Sequence, residues 1–119
     1  MSILVVIGHR LGKGENVAKG VEAAGGRAIV IPGVGADMKL GDVMNEQNAD
    51  LGISFCGSGG AGAITAQTKY GYPAAHGMRS IEEGITAMKS GKKVLGFGFL
   101  DVEDLGKRLT EEFLKLEQS

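Results

Sequence analysis

The sequence contains no tryptophan, and aromatic residues make up only 5% of its 119 positions. So sparse a set offers no platform on which single-stranded nucleic acid could stack. Charge of one sign is missing too. Thirteen Lys and Arg against 14 Asp and Glu leave a net charge of −1, without the basic footprint that nucleic acid or an anionic membrane surface requires. A single cysteine cannot close an internal disulfide, which fits a reducing compartment, and the cytoplasm is the expected location. One cysteine and two histidines are too few for a metal site, and no cofactor is expected. Long apolar runs are also lacking. The opening run, Ile3 to Ile7, has five residues, short of the roughly 7–15 of a signal-sequence core and the about 20 of a membrane span. No direct membrane insertion is expected.

What the chain has in excess is glycine, 21 residues, well above a usual share of about 7%. They are dispersed among strand-like and helix-period segments, so neither collagen nor disordered low complexity fits. Residues 1–119 read as one domain. Short β-branched or apolar runs at 3–7, 27–32, 51–56, 73–76 and 93–100 predict five strands. Helices are expected over 14–26, 39–49, 61–71, 80–91 and 101–118. In the fourth helix Ser80 and Glu83 have capping-box spacing. In the last, Asp101 is the expected N-cap, and Leu105, Leu109, Phe113 and Leu116 share one face. Strands alternating with helices give the fold class: α/β, a single three-layer domain with a five-stranded parallel sheet, flavodoxin-like or Rossmann-like. Five strands commonly take the order 2-1-3-4-5. Ligands of such sheets bind beyond the carboxyl ends of the strands where the chain reverses direction, here between strands 1 and 3. The segments that would meet there are "GHRLGKG" (8–14) and "CGSGGAG" (56–62).

The second segment carries the most chemistry. A strand ending in Cys56, then Gly57-Ser58-Gly59-Gly60, then a helix is the arrangement of an anion cradle, in which backbone N–H groups and a helix N-terminus converge on an oxyanion. Ser58 could cap the helix or donate a hydroxyl to a ligand. The residues alone leave two roles open for Cys56. It is either a small core hydrophobe or a thiolate favoured by the helix field and usable as base or nucleophile. Gly59, Gly60 and Gly62 likewise serve either a ligand's approach or close packing of helix on sheet. Gly8, His9 and Arg10 leave the first strand at the same edge, and His76 follows the fourth. Lys13, Lys69 and Arg79 read as solvated charges. The loop is not a P-loop, having no Gly-Lys-Ser/Thr, and a phosphotransferase role fits poorly with a cysteine after the third strand.

The stretch "ADLGISFCGSGGAGAITAQTKYGYPAAHG" (49–77) resembles the bacterial glycine-rich SFCGS family, whose signature letters stand at 54–58. Members of that family tend to be encoded beside predicted membrane proteins and enzymes of sugar-acid or amino-sugar breakdown, which implies a part in carbohydrate uptake or catabolism. More distantly, the chain is similar to ribose-5-phosphate isomerase B and to galactose-6-phosphate isomerase subunits. Their Cys-Gly-Thr-Gly loop is matched by Cys56-Gly57-Ser58-Gly59, their Gly-Ile-Arg-Ala-Ala by Gly71-Tyr72-Pro73-Ala74-Ala75, and their opening Asp-His-x-Gly by Gly8-His9-Arg10-Leu11-Gly12. By that resemblance Cys56 would move a proton between adjacent sugar carbons, and Ser58 with the amides of residues 57–60 would hold the enediolate oxygen. His9 would contact substrate, and His76 would open the sugar ring. The departures are Gly8 in place of the acidic residue, Pro73 in place of arginine, and a shorter chain. Three functions follow as expectations: a binder of a small anionic metabolite at Cys56–Gly60, an aldose-ketose isomerase, or a subunit that needs a partner. A homo-oligomer, dimer or higher, is the expected assembly.

Overall fold

Apolar runs covered on both faces become interior strands, and the computed structural model, which describes residues 2–118, follows that rule. Every residue of β1 (Leu4–His9), β3 (Leu51–Cys56) and β5 (Val94–Gly98) is buried. The shorter or more polar strands, β2 (Arg27–Val30) and β4 (Ala74–Met78), form the two edges of one parallel sheet ordered β2-β1-β3-β5-β4. The last two strands are therefore exchanged relative to the order 2-1-3-4-5. β4 follows Pro73 and exposes His76 and Gly77, which suits an edge, whereas the apolar β5 needs neighbours on both sides.

Helices cover both faces. α1 (Glu15–Ala23), α4 (Ile81–Lys89) and α5 (Glu103–Gln118) pack on one side over a core built around Ile7, Val21, Phe55, Phe97, Leu105 and Leu109. α2 (Leu40–Gln47) and α3 (Ala61–Tyr70) cover the other side over Val6, Leu40, Met44, Ala63 and Val94. The alternation along β3 sends Ile53 and Phe55 to the first face and Ser54 and Cys56 to the second.

Local signals account for most boundaries. Gly71 ends α3 in the left-handed conformation at φ 72°, and the Ser80 hydroxyl accepts the Glu83 N–H at the start of α4. Three expectations are corrected. A 3-10 turn, Ala36–Lys39, precedes α2 where one helix over 39–49 was expected. Asp101 does not cap α5; its carboxylate accepts the backbone N–H of Val17 (3.1 Å) in the first turn of α1. Leu116, in the last turn of α5, is 43% exposed, whereas Leu105 and Leu109 are buried.

Candidate functional site

Because β1 and β3 are neighbours, with His9 opposite Phe55, the segments after them emerge side by side, and the Arg10 N–H donates to the Phe55 carbonyl at 2.8 Å. The 3-10 turn closes onto the same place. The Gly35 N–H donates to the Arg10 carbonyl (2.7 Å), and a Cβ on Gly8 would stand 2.8 Å from the Ala36 carbonyl oxygen. Gly8 thus lies at the floor of the site, bare so that residues 36 and 37 can lie across it.

Cys56 ends β3 with 1% of its surface exposed, yet it joins neither apolar cluster. Its Sγ accepts the Gly60 N–H at 3.3 Å and lies 3.4 Å from the Ser58 hydroxyl. Burial pushes the thiol up, but the Ser58 hydroxyl and the amides of Ala61, Gly60 and Gly59 act against it. The net effect holds the thiol below its ordinary value. Ser58 therefore serves the sulfur and does not cap α3, whose N-cap, Gly60, has no side-chain hydrogen bond.

The glycines of the loop divide into two kinds. Gly59 has φ 77°, and a Cβ there would stand 2.8 Å from the Gly98 nitrogen, so the fold itself demands glycine. A Cβ on Gly62 would collide with the Ser54 hydroxyl and the Asp37 carbonyl. Gly60 and Gly57 differ: a Cβ would meet nothing closer than 3.4 Å at the first and 4.0 Å at the second. Internal packing does not explain these two. Gly57 is exposed with its amide uncovered, whereas the Gly60 N–H is already given to the Cys56 sulfur.

His9 is 3% exposed, 5.0 Å from Phe99 and 5.6 Å from Phe55 between ring centres. Its Nδ1 accepts the Leu11 N–H (2.9 Å), which leaves Nε2 as the protonated nitrogen of the neutral ring. Burial is the main cause that lowers its pKa, assisted by Lys13, while Asp101, Asp37 and Glu15 pull the other way. His76 is exposed on β4, and its Nδ1 would lie 3.5 Å from a Cβ on Gly60. The structure thus brings Cys56, Ser58, Gly60 and His76 together on the α3 face at the carboxyl end of the sheet, and places His9 at the same end on the opposite face, beside Phe55.

Two further residues join them that pattern reading missed. Asp37, wholly buried in the 3-10 turn, takes Arg10 in a forked pair: Nε lies 3.1 Å from both carboxylate oxygens and Nη2 is 2.9 Å from Oδ2. Hydrogen bonding to Asp37 chiefly raises the Arg10 pKa, and the nearby Cys56 adds to it. A carboxylate placed amid the glycines and apolar residues of "GVGADM" was the available signal. Arg79 is the other. A Cβ on Gly98, the cross-strand partner of Cys56, would stand 3.0 Å from its Nη1. Lys69, by contrast, is paired with Asp42 at 2.7 Å on the outer side of α3. Among the described residues no group of three metal-ligating side chains comes together, and no helix is long and apolar enough to cross a membrane.

Several solved structures share the fold. The type B ribose 5-phosphate isomerase of Trypanosoma brucei is 20% identical and matches 99% of this chain and 97% of its own, with a TM-score of 0.72. Ribose-5-phosphate isomerase B from Mycoplasma genitalium, solved with bound ribulose-5-phosphate, is 19% identical over 97% of this chain and 85% of its own, at TM-score 0.70. The Clostridium thermocellum enzyme is 23% identical over 95% and 84%, at TM-score 0.66. No curated protein matches the sequence. The family model described as glycine-rich SFCGS matches residues 3–116, nearly the whole chain, and the chain belongs to that family.

Proposed function

We propose that this chain binds a small phosphorylated sugar or sugar acid at the Cys56–Gly60 loop and moves a proton between its adjacent carbons. Cys56 as thiolate takes the proton from the carbon beside the carbonyl and returns it to the neighbouring carbon. The oxygen of the intermediate enediolate is held by the Ser58 hydroxyl and the amides of Gly57 and Ser58, ahead of the N-terminus of α3, while the Gly59 and Gly60 amides serve the Cys56 carbonyl and sulfur. His9 offers Nε2–H to a substrate oxygen, and His76 serves ring opening. The observation that carries the reading is the hydrogen bonding of the Cys56 sulfur to Ser58 and Gly60, which favours a thiolate where the loop glycines are bare. The likeness to isomerases that act on ribose 5-phosphate supports the substrate class.

The test is hydrogen exchange. Aldose phosphates incubated with the protein in deuterated water should gain deuterium beside the carbonyl. Cys56→Ala should slow that by about 10²–10⁴-fold, the usual worth of a positioned base, while calorimetric affinity stays within a few-fold. No exchange with the unaltered protein across pentose and hexose phosphates would remove catalysis.

The 1% exposure of Cys56 favours a second reading, a module that binds the metabolite without turning it over. In that case Cys56→Ala still binds, and Gly57→Val, at an exposed position whose Cβ would meet nothing closer than 4.0 Å, abolishes binding.

The expected homo-oligomer belongs to the same proposal. Leu11, Val34, Met38, Ile64, Phe99 and Val102 are each at least 41% exposed, and all follow the carboxyl ends of strands around the site. A second copy seated on that rim would shield the site from water.

A further inference from the structure

We propose that Arg79 takes the phosphate of the ligand, and that the bareness of Gly98 on β5 lets its guanidinium lie beside the Cys56 loop. This rests on the reading of the site as one for a phosphorylated sugar. Two arginines stand at the carboxyl end of the sheet. Arg10 is committed, since Nε and Nη2 both donate to the buried Asp37. The Arg79 guanidinium has no hydrogen bond or ion pair among the described residues, although two carboxylates, Glu82 and Glu83, stand within four positions; Glu82 is paired with Arg108. Glu83 is spent elsewhere, accepting from the Arg79 backbone N–H and the Ser80 hydroxyl, both at 2.9 Å. The stem of Arg79 is therefore fixed by the start of α4 while its charged head stays free.

The head is also placed. Gly96 and Gly98 face the α3 side of β5, and the space their side chains would fill is taken by the Gly59 carbonyl, the His76 Cβ and the Arg79 guanidinium. Gly98 pairs with Cys56 across strands about 4.8 Å apart. With Nη1 3.0 Å from the Cβ position of Gly98, the guanidinium comes within about 8 Å of the Cys56 Cβ. One small molecule can touch both. A planar guanidinium with paired donors matches a phosphate better than a lysine ammonium does. A side chain that merely covered the glycines would need no charge there.

Protection of Cys56 from iodoacetamide tests the assignment, with ribose 5-phosphate, inorganic phosphate and unphosphorylated ribose as probes. The unaltered protein should be protected by ribose 5-phosphate at far lower concentration than by ribose, with phosphate acting alone at an intermediate level. Arg79→Gln should raise the half-protecting concentration of ribose 5-phosphate about tenfold or more and leave that of ribose unchanged. Arg79→Lys should restore part of the loss. Gly98→Ala, which keeps the charge but crowds the guanidinium, should act in the same direction as Arg79→Gln. Equal protection of the unaltered protein and Arg79→Gln would overturn the role of Arg79 alone. So would loss of the phosphate preference in Lys13→Gln instead. Failure of both phosphate probes to protect the unaltered protein would overturn the reading of the site along with it.

Discussion

At the scale of single residues, the Cys56 thiol is subject to opposed influences: burial resists its ionisation, and donors from Ser58 and the loop amides favour it. Ser58→Ala removes one donor and keeps the burial. The midpoint of Cys56 alkylation against pH should then rise toward or beyond that of an ordinary thiol, with the fold unchanged by circular dichroism. Arg10→Met should move it the same way, because charge coupling between Arg10 and Cys56 is reciprocal. His9 gives a signature in stability. Its folded pKa lies below the usual 6.5, so the unfolded chain takes up the proton first as pH falls. Stability is full above pH 6.5 and declines as pH drops through that value. His9→Asn should flatten the fall in Tm between neutral and mildly acid pH. The lowered carboxylates Asp42, Glu83 and Glu112 contribute only further down. Cys56, Ser58 and Gly60 were legible because they follow one another between a strand and a helix. Asp37 and Arg79 were not, since each reaches the site from a different loop and no spacing within the sequence links them to Cys56.

At the scale of elements, α1 and α5 meet backbone to backbone. A Cβ on Gly20 would run into the Glu103 carbonyl, and one on Gly106 into the Val17 carbonyl. Helix propensity alone would reward Gly→Ala at either position by about 1 kcal/mol. Overpacking against a main chain that cannot rotate away costs about 1–3 kcal/mol or more. The second effect wins, and Gly20→Ala or Gly106→Ala should lower Tm by roughly 5–10 °C in a thermal melt. Asp101→Ala should cost about 1 kcal/mol, the usual worth of a helix cap, even though it lies far along the chain from the helix it caps. The strands and helices themselves were readable, β3 over its full range, because apolar runs and glycine stops are local. The exchange of β4 and β5 was not read, although the polar "AAHG" after a proline and the apolar "KVLGFG" carried the hint of edge and interior. Periodicity tells which face of a strand is buried; it does not tell which strand lies beside which.

At the scale of the whole molecule, the exposed large apolar residues other than Leu116 follow the carboxyl ends of the strands, where the site lies, with Val34, at 80%, the most open of them. Sedimentation at micromolar concentration should give an oligomer, and Val34→Asp should shift it toward monomer while leaving secondary structure intact. A strict monomer in the unaltered protein would remove the second copy from the proposal. The partnership of α1 with α5 and Asp101 reaches into how the molecule is made. The early helix α1 is finished by the much later α5, and its opening turn waits for a carboxylate at position 101. A nascent chain released short of that point could lay α2 and α3 on one side of its growing sheet. The opposite side would have α1 and α4 but lack α5, and the part of its core that Leu105 and Leu109 cover would stay wet and adhesive. Truncations ending before Asp101 should therefore be held by chaperones or aggregate, because the face that α5 covers closes only when residues past 101 have been made.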